Sequence, residues 1–458
     1  MQQVDTSNSF TMKLTQIADI LSAQLVGQDI TVTGISTDTR TLQGGELFVA
    51  LKGPSFDGHD YIQQALDNGA IACLVEKNVN ADHFVITENT HDALGELAKA
   101  WRQQYDKTVF AITGSNGKTT VKEMIFSILN QEHSAMATYG NLNNDIGVPL
   151  TLFRLNDKYD AAVIEMGANH LNEIQYLTNI ALPNIAMITN VGTAHLGEFG
   201  GIENTAKAKG EIFENMPAGG YAIINADDDY ADYWKGISKQ HKIITFGFKQ
   251  QADVTAEIIH SDNKTSATNL LVSTPKGECR VSFNLSGEHN IVNALCAVAA
   301  CVAADIPLEQ IVNGLEAIKP ISGRLQMKTG INSSQIMDDT YNANPTSLYA
   351  ALNVLKNMSG KHYLALGDMG ELGESAEVLH KESGLYAKET GIDALYSYGQ
   401  LAALAAKEFG KNGFVYEKHD DMITALKNDL AQDVTLLIKG SRSMHMENVV
   451  NALIVEEG

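Results

Sequence analysis

Residues Thr113–Thr120 read TGSNGKTT and directly follow the apolar run Val109–Ile112. A strand that feeds a glycine-rich turn into a helix aims backbone N–H groups, and the positive end of the helix, at an anion. The usual phosphate loop keeps four residues between its glycines, whereas only Ser115 and Asn116 separate Gly114 from Gly117. Lys118 can still set a point charge against outer phosphates, and the Thr119 hydroxyl suits Mg²⁺. Val121–Leu129 keeps helical spacing, so strand, loop and helix follow in the required order. The other reading is a plain βα turn with an incidental lysine.

Three side chains further on could share that chemistry. Glu165 ends the apolar strand of DAAVIEMGANH, and ligands of open α/β sheets gather at the carboxyl ends of strands. It is either part of the same crevice or a solvated strand-end acid. His195, in ITNVGTAHLGEFGG, follows the next strand at the same expected sheet edge, where a loop histidine can also be incidental. In ENTAKAKGEIFE, Lys209 shares a helical face with Ala206, Ile212 and Phe213, whereas Lys207 aligns with Glu203, Asn204 and Glu211. Lys209 is therefore expected to point inward; a snorkelling lysine is the alternative.

These residues need a scaffold, and 458 residues imply two or three domains. Residues 1 to about 85 hold short β-like stretches, ELFVALKG and AIACLVE, around a helical HDYIQQALDNGA. From 86 to 318, apolar strands near 108–113, 160–166, 185–190 and 221–225 alternate with helices, which predicts a mainly parallel sheet. A β-rich stretch over 241–285 then precedes an alanine-rich helix at 289–304. KPISGR, Lys319–Arg324, reads as a linker, after which 319–458 restarts the βα alternation as a smaller α/β domain.

The net charge of −22 argues against broad binding to nucleic acid or anionic membranes, though it leaves local anion sites open. No basic segment with an apolar core opens the chain and no run is long enough to span a bilayer, so a cytoplasmic protein is expected. Cys73, Cys279, Cys296 and Cys301 lack metal-type spacing and read as buried free thiols.

TGSNGKTT, VIEMGANH, NVGTAHLGEFG, AKAKGEIFE and GEHNIVNALCAVA together resemble the Mur ligases, ATP-dependent amide-forming enzymes of peptidoglycan precursor synthesis. The shortened loop is that family's own spelling. ISTDTRTLQGGELFVALKGPSFDGHDYI resembles the UDP-binding front domain of the branch adding later amino acids, and DDTYNANPTS, LGDMGELG and KGSRSMHME resemble the member that adds D-alanyl-D-alanine. The resemblance implies a small α/β UDP-binding domain, a central P-loop-type domain with a mainly parallel sheet, and a Rossmann-like α/β C-terminal domain. It implies ATP, two Mg²⁺ ions, UDP-N-acetylmuramoyl-tripeptide and D-alanyl-D-alanine as ligands of a monomer. The chemistry would pass through an acyl phosphate.

Carried over position by position, Gly114, Ser115, Asn116, Gly117, Lys118, Thr119 and Thr120 would hold the ATP phosphates. Thr119 and Glu165 would share one Mg²⁺, His195 would serve the second, and Lys209 falls on the lysine that family members carbamylate. Asn290 and Asn293 match adenine-side asparagines, with helix capping the alternative for Asn290. Arg324 and Asp339 match positions closing over the nucleotide, Asp339 on the ribose unless Asp338 takes that role; Asn342 and Asn344 flank them. Ser36, Asp38 and Arg40 match the uridine-diphosphate region, where Arg40 would grip a phosphate or merely form a surface salt bridge. Asn143 and Asn144 would face the muramoyl part, and Lys439, Ser441 and Arg442 the carboxylate of the incoming dipeptide.

Three other readings stay open. The sister ligase adding a diamino acid shares the loop, Glu165, His195 and the lysine, but carries a D-N-P-R motif where this chain has YNANPTS. Folylpolyglutamate synthetase lacks such a UDP-binding front. A non-catalytic P-loop switch would not need Glu165, His195 and Lys209 together.

Overall fold

A computed structural model describes residues 9–192, 199–261 and 268–455. The central sheet has six parallel strands in the order Ala135–Ala137, Ala161–Glu165, Thr108–Thr113, Ile185–Ile188, Tyr221–Asn225 and Lys242–Phe246. The chain leaves Thr108–Thr113 toward one side of the sheet and later returns to its other side. That reversal opens a crevice at the strand's carboxyl end, where the glycine-rich loop lies.

The inner strands are apolar on both faces because both faces are covered. Val109, Ala111, Ala162, Ile164, Ala186 and Ile188 join one core with helices Thr90–Arg102, Glu173–Ala181 and Ile202–Glu214. Phe110, Ile112, Val163, Ile185 and Met187 face helices Lys118–Leu129 and Glu288–Ala303 on the other side. An antiparallel sheet, Thr255–Ser261, Thr268–Thr274 and Gly277–Phe283, adds Leu270, Val272, Val281 and Phe283 to this second core.

The front unit has five strands in the order Gln24–Val26, Phe84–Ile86, Ala72–Val75, Leu47–Val49 and Ile35–Ser36, only the first pairing antiparallel. Leu47, Val49 and Leu74 belong to the same apolar cluster as the central strands, so the first two units share a core. The helix Thr90–Arg102 packs on both Leu14–Leu21 and Glu173–Ala181.

In the C-terminal sheet the order is Gln326–Thr329, Gln335–Asp339, Val434–Lys439, Lys361–Gly367, Ala394–Tyr398 and Gly413–Tyr416. The first pairing is antiparallel and the rest are parallel. The last strand in sequence inserts at the middle, which sets Asp339 beside Lys439 in register. No helix among the described residues is long and apolar enough to cross a membrane.

Candidate active site

Two glycines shape the loop. Gly114 (φ 145°) and Gly117 (φ 83°) have no room for a Cβ, which would collide with Thr189 Oγ1 at the first and Asn293 Oδ1 at the second. The shortened loop is tied to the adjacent strand end. Thr189 Oγ1 and Asn190 Nδ2 donate to the Asn116 carbonyl at 2.6 and 3.1 Å, and Asn116 N donates to Asn190 Oδ1 at 3.1 Å. The Lys118 ammonium turns back onto the Gly114 carbonyl at 2.7 Å. Burial lowers its pKa, while Glu165 works in the opposite direction. Ser115 and Thr120 are buried in the same turn.

Glu165 pairs in register with Ile112 and is 2% exposed. Its Oε1 accepts from Asn143 Nδ2 at 2.9 Å and its backbone N–H donates to Thr138 Oγ1 at 2.9 Å. Its Oε2 is buried with no hydrogen-bond partner among the described residues. Such an orphaned carboxylate oxygen fits a hard cation, and so does the Thr119 hydroxyl at the loop. No cluster of three His, Cys, Asp or Glu suited to a metal occurs among the described residues. His195 lies outside the described residues. Lys209 is buried and Lys207 exposed, as the helical spacing predicts. Its ammonium sits 5.8 Å from the Phe199 ring, and burial, then Lys118, depress its pKa to about 7.

The C-terminal domain closes directly on the loop. Arg324 Nη2 donates to Thr119 Oγ1 at 2.9 Å while its guanidinium stacks 4.3 Å from the Tyr341 ring. Asn344 Nδ2 donates to Asn116 Oδ1 at 2.8 Å, and the same side chain caps helix Pro345–Lys356. Asp339 Oδ1 accepts from Leu325 N, and its Oδ2 accepts from Lys439 Nζ at 2.5 Å. Asp338 is committed elsewhere, to Lys328 and Thr340, so Asp339 is the carboxylate on the Lys439 side and is not solvated.

Several of the expected substrate contacts take partners within the chain. Lys439, expected to meet the dipeptide carboxylate, is 2% exposed and spends its ammonium on Asp339 and the Asn342 carbonyl. Ser441 Oγ donates to the Asp368 carbonyl, and Arg442 pairs with Glu447 at 3.2 Å. Asn143 supports Glu165, and Asn144 Oδ1 accepts from Gly147 N at the start of a short helix. Arg40 makes its bidentate contact with Asp38, at 2.9 and 2.6 Å, and Ser36 donates to the Asp38 carbonyl. Asn290 donates to Ser286 O rather than capping, and Asn293, whose Nδ2 donates to Asn290 Oδ1, lies against Gly117. Sequence reasoning missed Thr189, Asn190 and Tyr341; the first two were signalled only by their place at a strand's carboxyl end.

Among the described residues, four buried polar atoms around this one loop have no hydrogen-bond partner: Thr113 Oγ1, Asn116 Nδ2, Glu165 Oε2 and Arg324 Nε. Buried polar groups are normally satisfied, so donors and acceptors left over at a phosphate-type loop fit a polyphosphate with its cation. The Mur ligase middle domain matches residues 112–301, the Mur ligase glutamate ligase domain 323–442, and the Mur ligase family catalytic domain 31–106. This chain belongs to the Mur ligase family. The Mur ligase described here is 43% identical over 447 residues to the UDP-N-acetylmuramoyl-tripeptide–D-alanyl-D-alanine ligase of Escherichia coli (strain K12), covering 97% of this chain and 98% of that one. Among solved structures, MurF from Acinetobacter baumannii is similar at 35% identity and a TM-score of 0.91, over 97% of this chain and 99% of that one. The MurF ligase from Thermotoga maritima in complex with ADP is similar at 27% identity and a TM-score of 0.81, over 91% and 96%.

Proposed function

We propose that this Mur ligase joins D-alanyl-D-alanine to UDP-N-acetylmuramoyl-tripeptide at the expense of ATP, in the cytoplasm. The observation that carries the reading is the convergence, where two domains meet, of Thr113, Asn116, Glu165 and Arg324, each with a buried polar atom that has no partner among the described residues. Whole-length similarity to ligases of that name supports the choice of substrates.

In this reading the tripeptide carboxylate attacks the γ-phosphorus and ADP leaves. The dipeptide amine then attacks the acyl phosphate carbonyl, and phosphate departs with the C–O electron pair. Lys118 and Arg324 offset anions that would otherwise repel one another. Thr119 and Glu165 would hold Mg²⁺, which supplies further charge neutralisation at the phosphates. Asn143 orients Glu165 by holding its Oε1. Lys209 is the candidate for carbamylation: burial brings its pKa down to about 7, so near neutrality a substantial share of this amine is unprotonated, the form that adds to CO₂. His195 completes the proposed cation set.

Phosphate release, measured with ATP and Mg²⁺ and each substrate alone or together, tests the reading. Sustained release is expected only when UDP-N-acetylmuramoyl-tripeptide and D-alanyl-D-alanine are both present. Turnover with a free diamino acid, or none with any amine, overturns it.

A further inference from the structure

Lys122 is a buried charge that the chemistry above does not use. It lies one turn beyond Lys118 on helix Lys118–Leu129, among Val121, Met124 and Ile125, and is 2% exposed. A buried ammonium is costly to desolvate, and an apolar side chain would fill the same space without that cost. The contacts it makes must therefore be what keeps it there. Its Nζ pairs with the partly exposed Glu123 at 2.8 Å and, on the inner side, donates to the Thr138 carbonyl at 2.8 Å.

Thr138 stands where the sheet needs support. Ala135–Ala137 is only three residues long and is the edge strand of the central sheet, so it is held by pairing on one side. Thr138 follows it directly, and its N–H donates to the Val163 carbonyl at 3.0 Å. Its side chain is buried, and the hydroxyl accepts from Glu165 N at 2.9 Å. Tyr139, Gly140 and Asn141 are then exposed. The chain comes back at Asn143, whose amide donates to Glu165 Oε1 at 2.9 Å and whose carbonyl accepts from Gly167 N at 2.8 Å. One segment, Thr138–Asn143, thus grips Glu165 by both backbone and carboxylate, and its buried root is Thr138. The preceding Ala137 carbonyl accepts from Arg154 Nη1 at a longer 3.4 Å, so the short side-chain bond at the root is the one from Lys122.

We propose that Lys122 is a positioning residue for the cation site, anchoring Thr138 so that the Thr138–Asn143 segment holds the Glu165 carboxylate in one orientation. The inference rests on the reading of Thr119 and Glu165 as cation ligands given above. A cationic donor suits the task, because charge-assisted hydrogen bonds are shorter and about twice as strong as neutral ones. Without the ammonium the short edge strand frays from its end. Thr138 and Asn143 then withdraw together, and the carboxylate regains its rotamers. An arriving cation would have to order its own ligand, which lowers affinity. Lys122 itself touches neither nucleotide nor cation; it acts through Thr138.

Mn²⁺ binding to the full chain with a non-hydrolysable ATP analogue, followed by electron paramagnetic resonance, tests this alongside the Mg²⁺ dependence of phosphate release. Lys122→Met, and Thr138→Val, which keeps the shape and removes the hydroxyl, are each expected to weaken Mn²⁺ binding about 3–10-fold, the worth of one hydrogen bond. Thr138→Ser keeps the hydroxyl and should bind Mn²⁺ within about twofold of wild type. Saturating Mg²⁺ should return kcat of all three to within about twofold of wild type, because the cation ligands themselves are intact. Since the two side chains act in series, the double variant Lys122→Met with Thr138→Val should lose no more than the larger single loss. Wild-type Mn²⁺ affinity in Thr138→Val overturns the proposal, even where Lys122→Met fails to fold. Equal weakening in Thr138→Ser, or losses that multiply in the double variant, overturn it too. Absence of nucleotide-dependent Mn²⁺ binding in the wild type would instead overturn the cation reading, and absence of dipeptide-dependent turnover the ligase reading.

Discussion

Arg324 Nη2 and Thr119 Oγ1 stand 2.9 Å apart although 205 residues separate them, and this bond fastens the C-terminal domain to the phosphate loop. The guanidinium is held flat by Tyr341, so its direction is set before any ligand arrives.

Removing that guanidinium should therefore weaken nucleotide binding and closure together. Arg324→Ala is expected to raise the KM for ATP at least about tenfold and to leave the protein less compact than wild type in small-angle scattering with an ATP analogue and substrate. Arg324→Lys should not restore it, because an ammonium neither stacks on Tyr341 nor forks. Full recovery by lysine would sink this account.

Gly117→Ala meets two obstacles at once, a φ of 83° and the Asn293 amide oxygen. A loss of about 1–3 kcal/mol in denaturant unfolding is expected, with ATP binding by calorimetry reduced beyond detection. Binding at wild-type strength would show that the loop has more slack than the packing allows.

Lys209 couples stability to pH. Its ordinary pKa of 10.5 falls to about 7 in the fold, so between those values the unfolded chain holds a proton that the native state does not. Stability from this group therefore rises with pH across that window, and below about 7 the native state bears the whole cost of the buried ammonium. Lys209→Met should be more stable than the unmodified wild-type chain near pH 7, by on the order of 1–3 kcal/mol, with the gain shrinking toward pH 10, while ligase activity is lost. A destabilised, active Lys209→Met protein would contradict both halves.

For Lys439 the expectation is structural. Lys439→Met leaves Asp339 without its cation in a nearly dry site, a change that typically costs about 3–5 kcal/mol. Thermal unfolding should show it, and Lys439→Met with Asp339→Asn should recover part of the loss. A variant of native stability with only a raised dipeptide KM would return Lys439 to the substrate.

Features written in local spacing were legible without coordinates. Gly114 and Gly117 announce positive φ at a strand–helix turn, the apolar run before them announces a buried strand, and helical periodicity alone turns Lys209 inward and Lys207 outward. The choice of partner was not legible. Spacing leaves Arg40 open to a phosphate or a surface salt bridge, and in the fold it pairs with Asp38 two residues away. Asn143 looked like a sugar contact and supports Glu165, and Lys439 looked like a dipeptide ligand and neutralises Asp339.

The strand–loop–helix unit, the parallel central sheet and the family are written in local sequence, because each is encoded in residues close enough to constrain one another along the chain. Tertiary structure alone decided which charges are spent and which remain. Lys439 reaches Asp339 only because the last strand inserts at the middle of its sheet, across 100 residues. Arg324 reaches Thr119 only because one domain folds down onto another. A charge's duty depends on its nearest opposite charge in space, and no spacing along the chain specifies that neighbour.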